Sequence, residues 1–348
     1  MRCIFAVSLA LFSACPAPTA PSPGEGEGEG EAAEGEGEGE GEAAEGEGEG
    51  EAAEGEGEGE GEGEGEGEGE GEAAVDVFDA GPFAITTTTL AAADTGLPVD
   101  VRIDLPTTPG PWPVVVYQHG FLLDVDWTST LLSHVASHGV VVVAPQMYAA
   151  NNLPFGKPTT IEEAADAATV LAFVDDGLAA ALDVELVGAP VLAGHSRGGK
   201  VLWRLLSDDL TVGRGLVLLD PVDGAPSGND PAAVDGALAF AGPSIVLGLG
   251  LSTEGRQACA PAADGHAHFI TALPASARHV IVDDGGHLDL LDDEQPGCLF
   301  VCTVCTASTA PSAVRALSAG LIVAAVKAAD GDADAVSDAL ASAPVVVR

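Results

Sequence analysis

The chain has 348 residues, with 12 Lys plus Arg against 55 Asp plus Glu and a formal net charge of −43 at pH 7. That balance excludes nucleic acid as a partner, because neutralising a phosphate backbone needs a basic face and the sequence offers none. Past the first 15 residues, no apolar stretch is long and uncharged enough to read as a convincing membrane span.

In chain order, the first segment is MRCIFAVSLALFSAC, with one arginine, an apolar run from Ile4 to Phe12, two small residues and then Cys15. The run is too short to cross a bilayer and has the order of an export signal. Its last four residues, FSAC, resemble a bacterial lipoprotein signal in which the cysteine becomes the lipidated first residue, with Phe12 where leucine is usual. An ordinary cleaved signal is the alternative. Residues 16–74 form a linker, and residues 24–72 are a near-perfect Gly-Glu repeat broken by Ala-Ala pairs, holding 23 of the 55 acidic residues. Glycine maximises chain entropy and like charges resist collapse, so a disordered, extended spacer is expected. Calcium buffering by its glutamates is the lesser reading, and membrane contact is expected only through the lipid anchor.

Residues 75–348 suit one large domain. The β-branched runs FAITTTTL (83–90) and VDVRIDLP (99–106) predict an antiparallel pair. VVVYQHG then reads as a buried parallel strand, and from there the chain alternates. Helical DWTSTLLSHVASHG leads to VVVVAPQMY, and the helix around TTIEEAADAATVLAFVDDGLAAAL leads to APVLAGHS. RGGKVLWRLLS leads to GLVLLDPV, then come PSIVLGLGL and RHVIVDDGG, and a last helix lies near SAVRALSAGLIVAAVKAA. Strand and helix in regular alternation predict an α/β fold with a mostly parallel sheet, helices on both faces, and chemistry in loops at the carboxyl ends of the strands.

Residues 194–201, GHSRGGKV, fit two unrelated motifs. As G-x-x-x-x-G-K they are one residue short of a phosphate-binding P-loop, whose next position must be Ser or Thr to hold Mg²⁺; Val201 offers no oxygen. As G-x-S-x-G they form the turn that presents a nucleophilic serine, with glycines two residues either side of Ser196 where the turn leaves no room for a Cβ. The second motif makes further demands that can be checked, an acid and then a histidine at later strand ends. GLVLLDPVDG places Asp220 at the next strand end, with Asp223 as an alternative acid and Glu254, after PSIVLGLGL, as a third. His287 follows the last strand, and of the eight histidines it alone holds the post-strand place this order requires. His195 is expected to point elsewhere, and His266 and His268 in ADGHAHF are read as loop or pocket residues. For the oxyanion, the amides of Arg197 and of Phe121 in QHGF are the expected donors.

Cys259, Cys298, Cys302 and Cys305 are expected as two disulfides in an exported protein, with three pairings open. The C-x2-C at 302–305 has no second pair to complete a zinc site, so neither metal nor cofactor is expected.

QHGF, SHGVVVVAPQMY, GHSRGGK, LDPVDG and GHLDLLDD, taken together, resemble successive blocks of the chlorophyllase family of α/β-hydrolases over roughly residues 112–327. The resemblance implies a serine esterase using Ser196, an aspartate of the LDPVDG block and His287. An acidic, tethered, exported domain is placed unlike a plant chlorophyll-degrading enzyme, so ester hydrolysis carries over while chlorophyll as the substrate is left open. A thioesterase or lactonase, and a non-catalytic surface binding protein that keeps the hydrolase fold, stand as the other readings.

Overall fold

In the computed structural model, the chain divides into two units, residues 1–69 and 70–348. The structure describes residues 75–147, 158–224, 230–253, 258–296, 298 and 301–348, all in the second unit. The signal-like segment 1–15, the Gly-Glu tract and Glu254 therefore lie outside the described residues.

Eight strands form one sheet: β1 (Ile85–Leu90), β2 (Val101–Pro106), β3 (Trp112–Gln118), β4 (Val141–Pro145), β5 (Leu186–His195), β6 (Gly215–Leu219), β7 (Ser244–Leu249) and β8 (Arg278–Val282). Their order is β1-β2-β4-β3-β5-β6-β7-β8. The first two pairings, β1 with β2 and β2 with β4, are antiparallel, and every later one is parallel. The antiparallel start and the parallel remainder match the expectation from the two kinds of apolar run.

Period-two alternation sends neighbouring residues to opposite faces, and both faces are apolar. Val115, Tyr117, Val142 and Ala144 meet the helices Ser129–Ser137 and Pro311–Ala329 on one side. Val114, Val116, Val141 and Val143 meet Thr160–Asp176, Arg197–Asp208 and His266–Ala272 on the other. Pro311–Ala329 is apolar and long enough to cross a membrane, but two-thirds of it is buried in this core.

Two features depart from the sequence reading. β5 starts at Leu186, pairing with Trp112, because a register shift between Pro113 and Val115 accommodates Gly188 and Pro190, which read as turn residues. ADGHAHF, expected as a loop, opens the helix His266–Ala272; its turn-like Asp and Gly precede the first helical residue.

All the parallel strands end on the same edge. Connections leave β3 toward β4 on one side and reach β5 on the other, so the loops after β3 and β5 flank the point where the strand order reverses, the place such sheets use for ligands.

Candidate active site

Gln118, at the tip of β3, is in register with Gly194, and His195, at the tip of β5, with Leu219 at the tip of β6. Ser196 is thus the first residue past its strand and Asp220 the first past the next. Ser196 stands at φ 53°, ψ −121° and Asp220 at φ 44°, backbone conformations that cost non-glycine residues of order 1–3 kcal/mol and persist only where surroundings over-determine them. Here main-chain bonds do so: Ser196 N donates to Leu219 O (3.0 Å), Asp220 N to Leu247 O (2.8 Å) and Val222 N to Ser196 O (3.2 Å). Gly198 is required by contact, since a Cβ there would lie 2.1 Å from Gln118 O.

His287 reaches both residues. Ser196 Oγ donates to His287 Nε2 at 2.9 Å, and His287 Nδ1 donates to Asp220 Oδ2 at 2.6 Å. A carboxylate only accepts, so Nδ1 carries the proton and Nε2 is left with a free lone pair toward the serine. All three side chains are buried, Asp220 completely. Asp220 Oδ1 also accepts from Leu249 N (3.0 Å), and Ser252 Oγ donates to Oδ2. Asp289 holds the histidine loop, accepting from Gly286 N (2.7 Å) and Ser308 N (3.2 Å).

Asp223 is engaged differently. Its carboxylate accepts from Ala233 N (2.6 Å) and Val234 N (3.1 Å) and lies 3.5 Å from Lys200 Nζ, so it braces the loop after β6 while His287 turns to Asp220. His195, expected to point elsewhere, does touch the site: its Nε2–H donates to the His287 carbonyl (2.9 Å), and the two rings lie 4.7 Å apart. Full burial holds its pKa well below the usual histidine value, and the neighbouring His287 adds to this. His266 packs against β7 with Nδ1 2.8 Å from His279 Nε2, and His268 Nε2 lies 3.6 Å from Asp223.

The QHGF loop lies against the serine, for a Cβ on Gly120 would be 3.2 Å from Ser196 Cβ. His119 holds it there. Met147 N donates to Nε2 (3.0 Å), so the proton sits on Nδ1, which donates to Gly120 O (2.8 Å). Burial lowers the His119 pKa and keeps that neutral form. Gln146 adds three bonds, from its amide to His119 Nε2 (3.1 Å) and to Leu123 O (3.1 Å), and from Val125 N to its carbonyl (2.8 Å). Phe121 and Arg197, the expected oxyanion donors, meet across this gap, the Arg197 guanidinium 5.8 Å from the centre of the Phe121 ring.

Sequence reasoning missed Ser252, Asp289 and Gln146. Ser252 had a visible signal, since it follows β7 where a third acid was considered. Asp289 and Gln146 are polar residues beside a motif, a pattern too common to single out. The cysteines pair as Cys259–Cys305 and Cys298–Cys302, one of the three arrangements left open.

The strand order, the turn at Ser196 and the placement of Asp220 and His287 at strand ends define an α/β-hydrolase. The chlorophyllase family model matches residues 73–347. "Chlorophyllase-2" of Arabidopsis thaliana is 31% identical over 252 residues, covering 66% of this chain and 77% of that protein. "Chlorophyllase-1, chloroplastic" of Citrus unshiu is 34% identical over 234 residues, covering 64% and 69% respectively. The chain belongs to the chlorophyllase family and is, with it, a carboxylic ester hydrolase.

Proposed function

We propose that this protein is a serine esterase in which Ser196 is the nucleophile, His287 the general base and acid, and Asp220 the residue that orients the imidazole. One observation carries the reading: the unbroken chain of hydrogen bonds from Ser196 Oγ through His287 to Asp220, at 2.9 and 2.6 Å. Ser196 Oγ attacks the ester carbonyl as its proton passes to His287 Nε2, while Asp220 stabilises the imidazolium. The amides of Phe121 and Arg197 stabilise the oxyanion of the tetrahedral intermediate. Collapse breaks the bond to the alcohol, which leaves with the proton from Nε2. Water, deprotonated in turn by His287, then attacks the acyl-enzyme and releases the acid, restoring Ser196 Oγ–H.

The two disulfides and the signal-like residues 1–15 support action outside the cytoplasm, with Cys15 as a lipid anchor. The relatives are named for chlorophyll, so the decisive substrate panel sets esters of graded acyl length beside a phytyl ester. Wild-type protein is expected to take a fluorophosphonate on Ser196. Ser196→Ala should stay folded and lose on the order of a millionfold in kcat. An alanine variant within tenfold of wild type would remove the nucleophile assignment, and a wild type that is neither labelled nor active would leave a binding protein.

A further inference from the structure

The helix after Ser196 carries Arg197, Lys200 and Arg204 on one face, at spacings of three and four. All three turn inward. Lys200 Nζ donates to Asp223 O (2.5 Å) and lies 3.4 Å from Asp230. Arg204 Nε donates to Thr160 Oγ1 (2.8 Å), which itself donates to Asp230 Oδ1 (2.8 Å). The Arg197 guanidinium donates from Nε to Glu163 Oε2 (2.6 Å), from Nη1 to Asp230 Oδ2 (3.3 Å) and from Nη2 to Pro158 O (2.8 Å).

Buried ion networks of this kind add little net stability, because desolvation offsets most of the attraction; a specific geometry is the better-attested return. Burial pushes Glu163 up to about 7 even with Arg197 beside it, which records that desolvation cost. The geometry held here is local to the chemistry. The main-chain amide of Arg197 follows the nucleophile, and its guanidinium lies over the ring of Phe121, 5.8 Å from its centre, whose amide is the other donor of the proposed oxyanion site.

Resting on the serine esterase reading above, we propose that Arg197, locked by Glu163, is the positioning residue of the oxyanion site, its side chain setting the distance between the two amide donors. The backbone at Arg197 is fixed from its own side chain, and the backbone at Phe121 is fixed through the ring. The planar guanidinium is needed because it bonds a carboxylate in its plane and meets an aromatic ring with its face; an ammonium cannot do both.

The test compares wild type, Arg197→Lys, Glu163→Gln and Arg204→Gln at pH 8, with rates expressed per active site titrated by fluorophosphonate. Each is also titrated with an alkyl boronic acid, whose tetrahedral adduct on Ser196 puts an oxygen in the oxyanion position. Arg197→Lys is expected to lose about 30-fold in kcat with KM changed less than threefold, as misplacement by a fraction of an ångström does. Its boronate affinity should fall by the same factor as kcat/KM. Glu163→Gln should show the same parallel loss, about tenfold, because an amide holds the guanidinium more weakly. Arg204→Gln breaks the far end of the network and should lower Tm while leaving kcat/KM within twofold. An Arg197→Lys enzyme with wild-type kcat, or a kcat loss without matching loss of boronate affinity, overturns the proposal. If Arg197→Lys does not fold, Phe121→Leu, which keeps the amide and removes the ring, must show the same parallel loss. A wild type unlabelled by fluorophosphonate would instead overturn the serine esterase reading beneath it.

Discussion

Asp220 and Asp223 sit three residues apart in one block, yet their surroundings give them different work. Asp220 is held at the strand tip by Leu249 N and Ser252 and meets His287, whereas both oxygens of Asp223 serve the amides of Ala233 and Val234. Asp220→Asn keeps the shape but leaves His287 in the wrong tautomer, and kcat on a short-chain ester should fall by about 10⁴. Asp223→Asn should keep kcat within tenfold and lower unfolding free energy by about 1–3 kcal/mol, since one of the two buried amides then faces an NH2 donor in place of a carboxylate oxygen. Paired kinetics and urea unfolding separate the two outcomes, and a dead, stable Asp223→Asn enzyme would exchange the roles.

Among the elements, the turn between β5 and the following helix was legible because its requirements are local. Gly194 and Gly198 are needed where chains cross, and G-x-S-x-G records that need directly. The contact at Gly198 is with main chain, so no side-chain movement can relieve a Cβ there. Gly198→Ala should cost about 3 kcal/mol or more and abolish turnover, read as a drop in Tm with loss of fluorophosphonate labelling. The helix His266–Ala272 was not legible, because its first turn holds two histidines and no apolar period; packing of Phe269 into the core stabilises it. The long β5 was hidden for the opposite reason, since its turn-forming residues are absorbed by an irregularity that needs the neighbouring strand.

For the whole molecule, the two disulfides differ in reach. Cys259–Cys305 spans 46 residues and Cys298–Cys302 only 4. In the chain-entropy picture, removing the first by Cys→Ser pairs should cost about 4 kcal/mol and the second about 2. Equal losses in chemical denaturation would show that loop closure does not set their worth. Acid should also destabilise the fold. His119 and His195 are buried with pKa values below the ordinary 6.5, so the unfolded chain binds protons that the folded chain refuses as pH drops below 6.5. Each histidine then removes about 1.4 kcal/mol per pH unit until its folded pKa is passed. Glu163 acts oppositely: raised from 4.5 to about 7, it takes up a proton on folding in that window and offsets one of the two. Urea midpoints measured from pH 8 to 5 should fall below pH 6.5, and should fall less once His195 is replaced by Gln.

By itself the sequence determined the parts whose cause lies within a few residues: the apolar runs that make a doubly covered parallel sheet, the serine turn, and the order of acid and histidine at later strand ends. These survive reading in one dimension because steric and period-two constraints act between near neighbours. Only the tertiary structure decided which aspartate faces His287, because Leu249 N and Ser252 hold the Asp220 carboxylate beside it while the amides of Ala233 and Val234 take that of Asp223. The pairing of the four cysteines, the contact of His195 with the His287 carbonyl, and the grip of Glu163 on Arg197 were decided there too. The last two of these join residues 92 and 34 positions apart, and a neighbour at that distance along the chain is set only by how the strands, loops and helices pack.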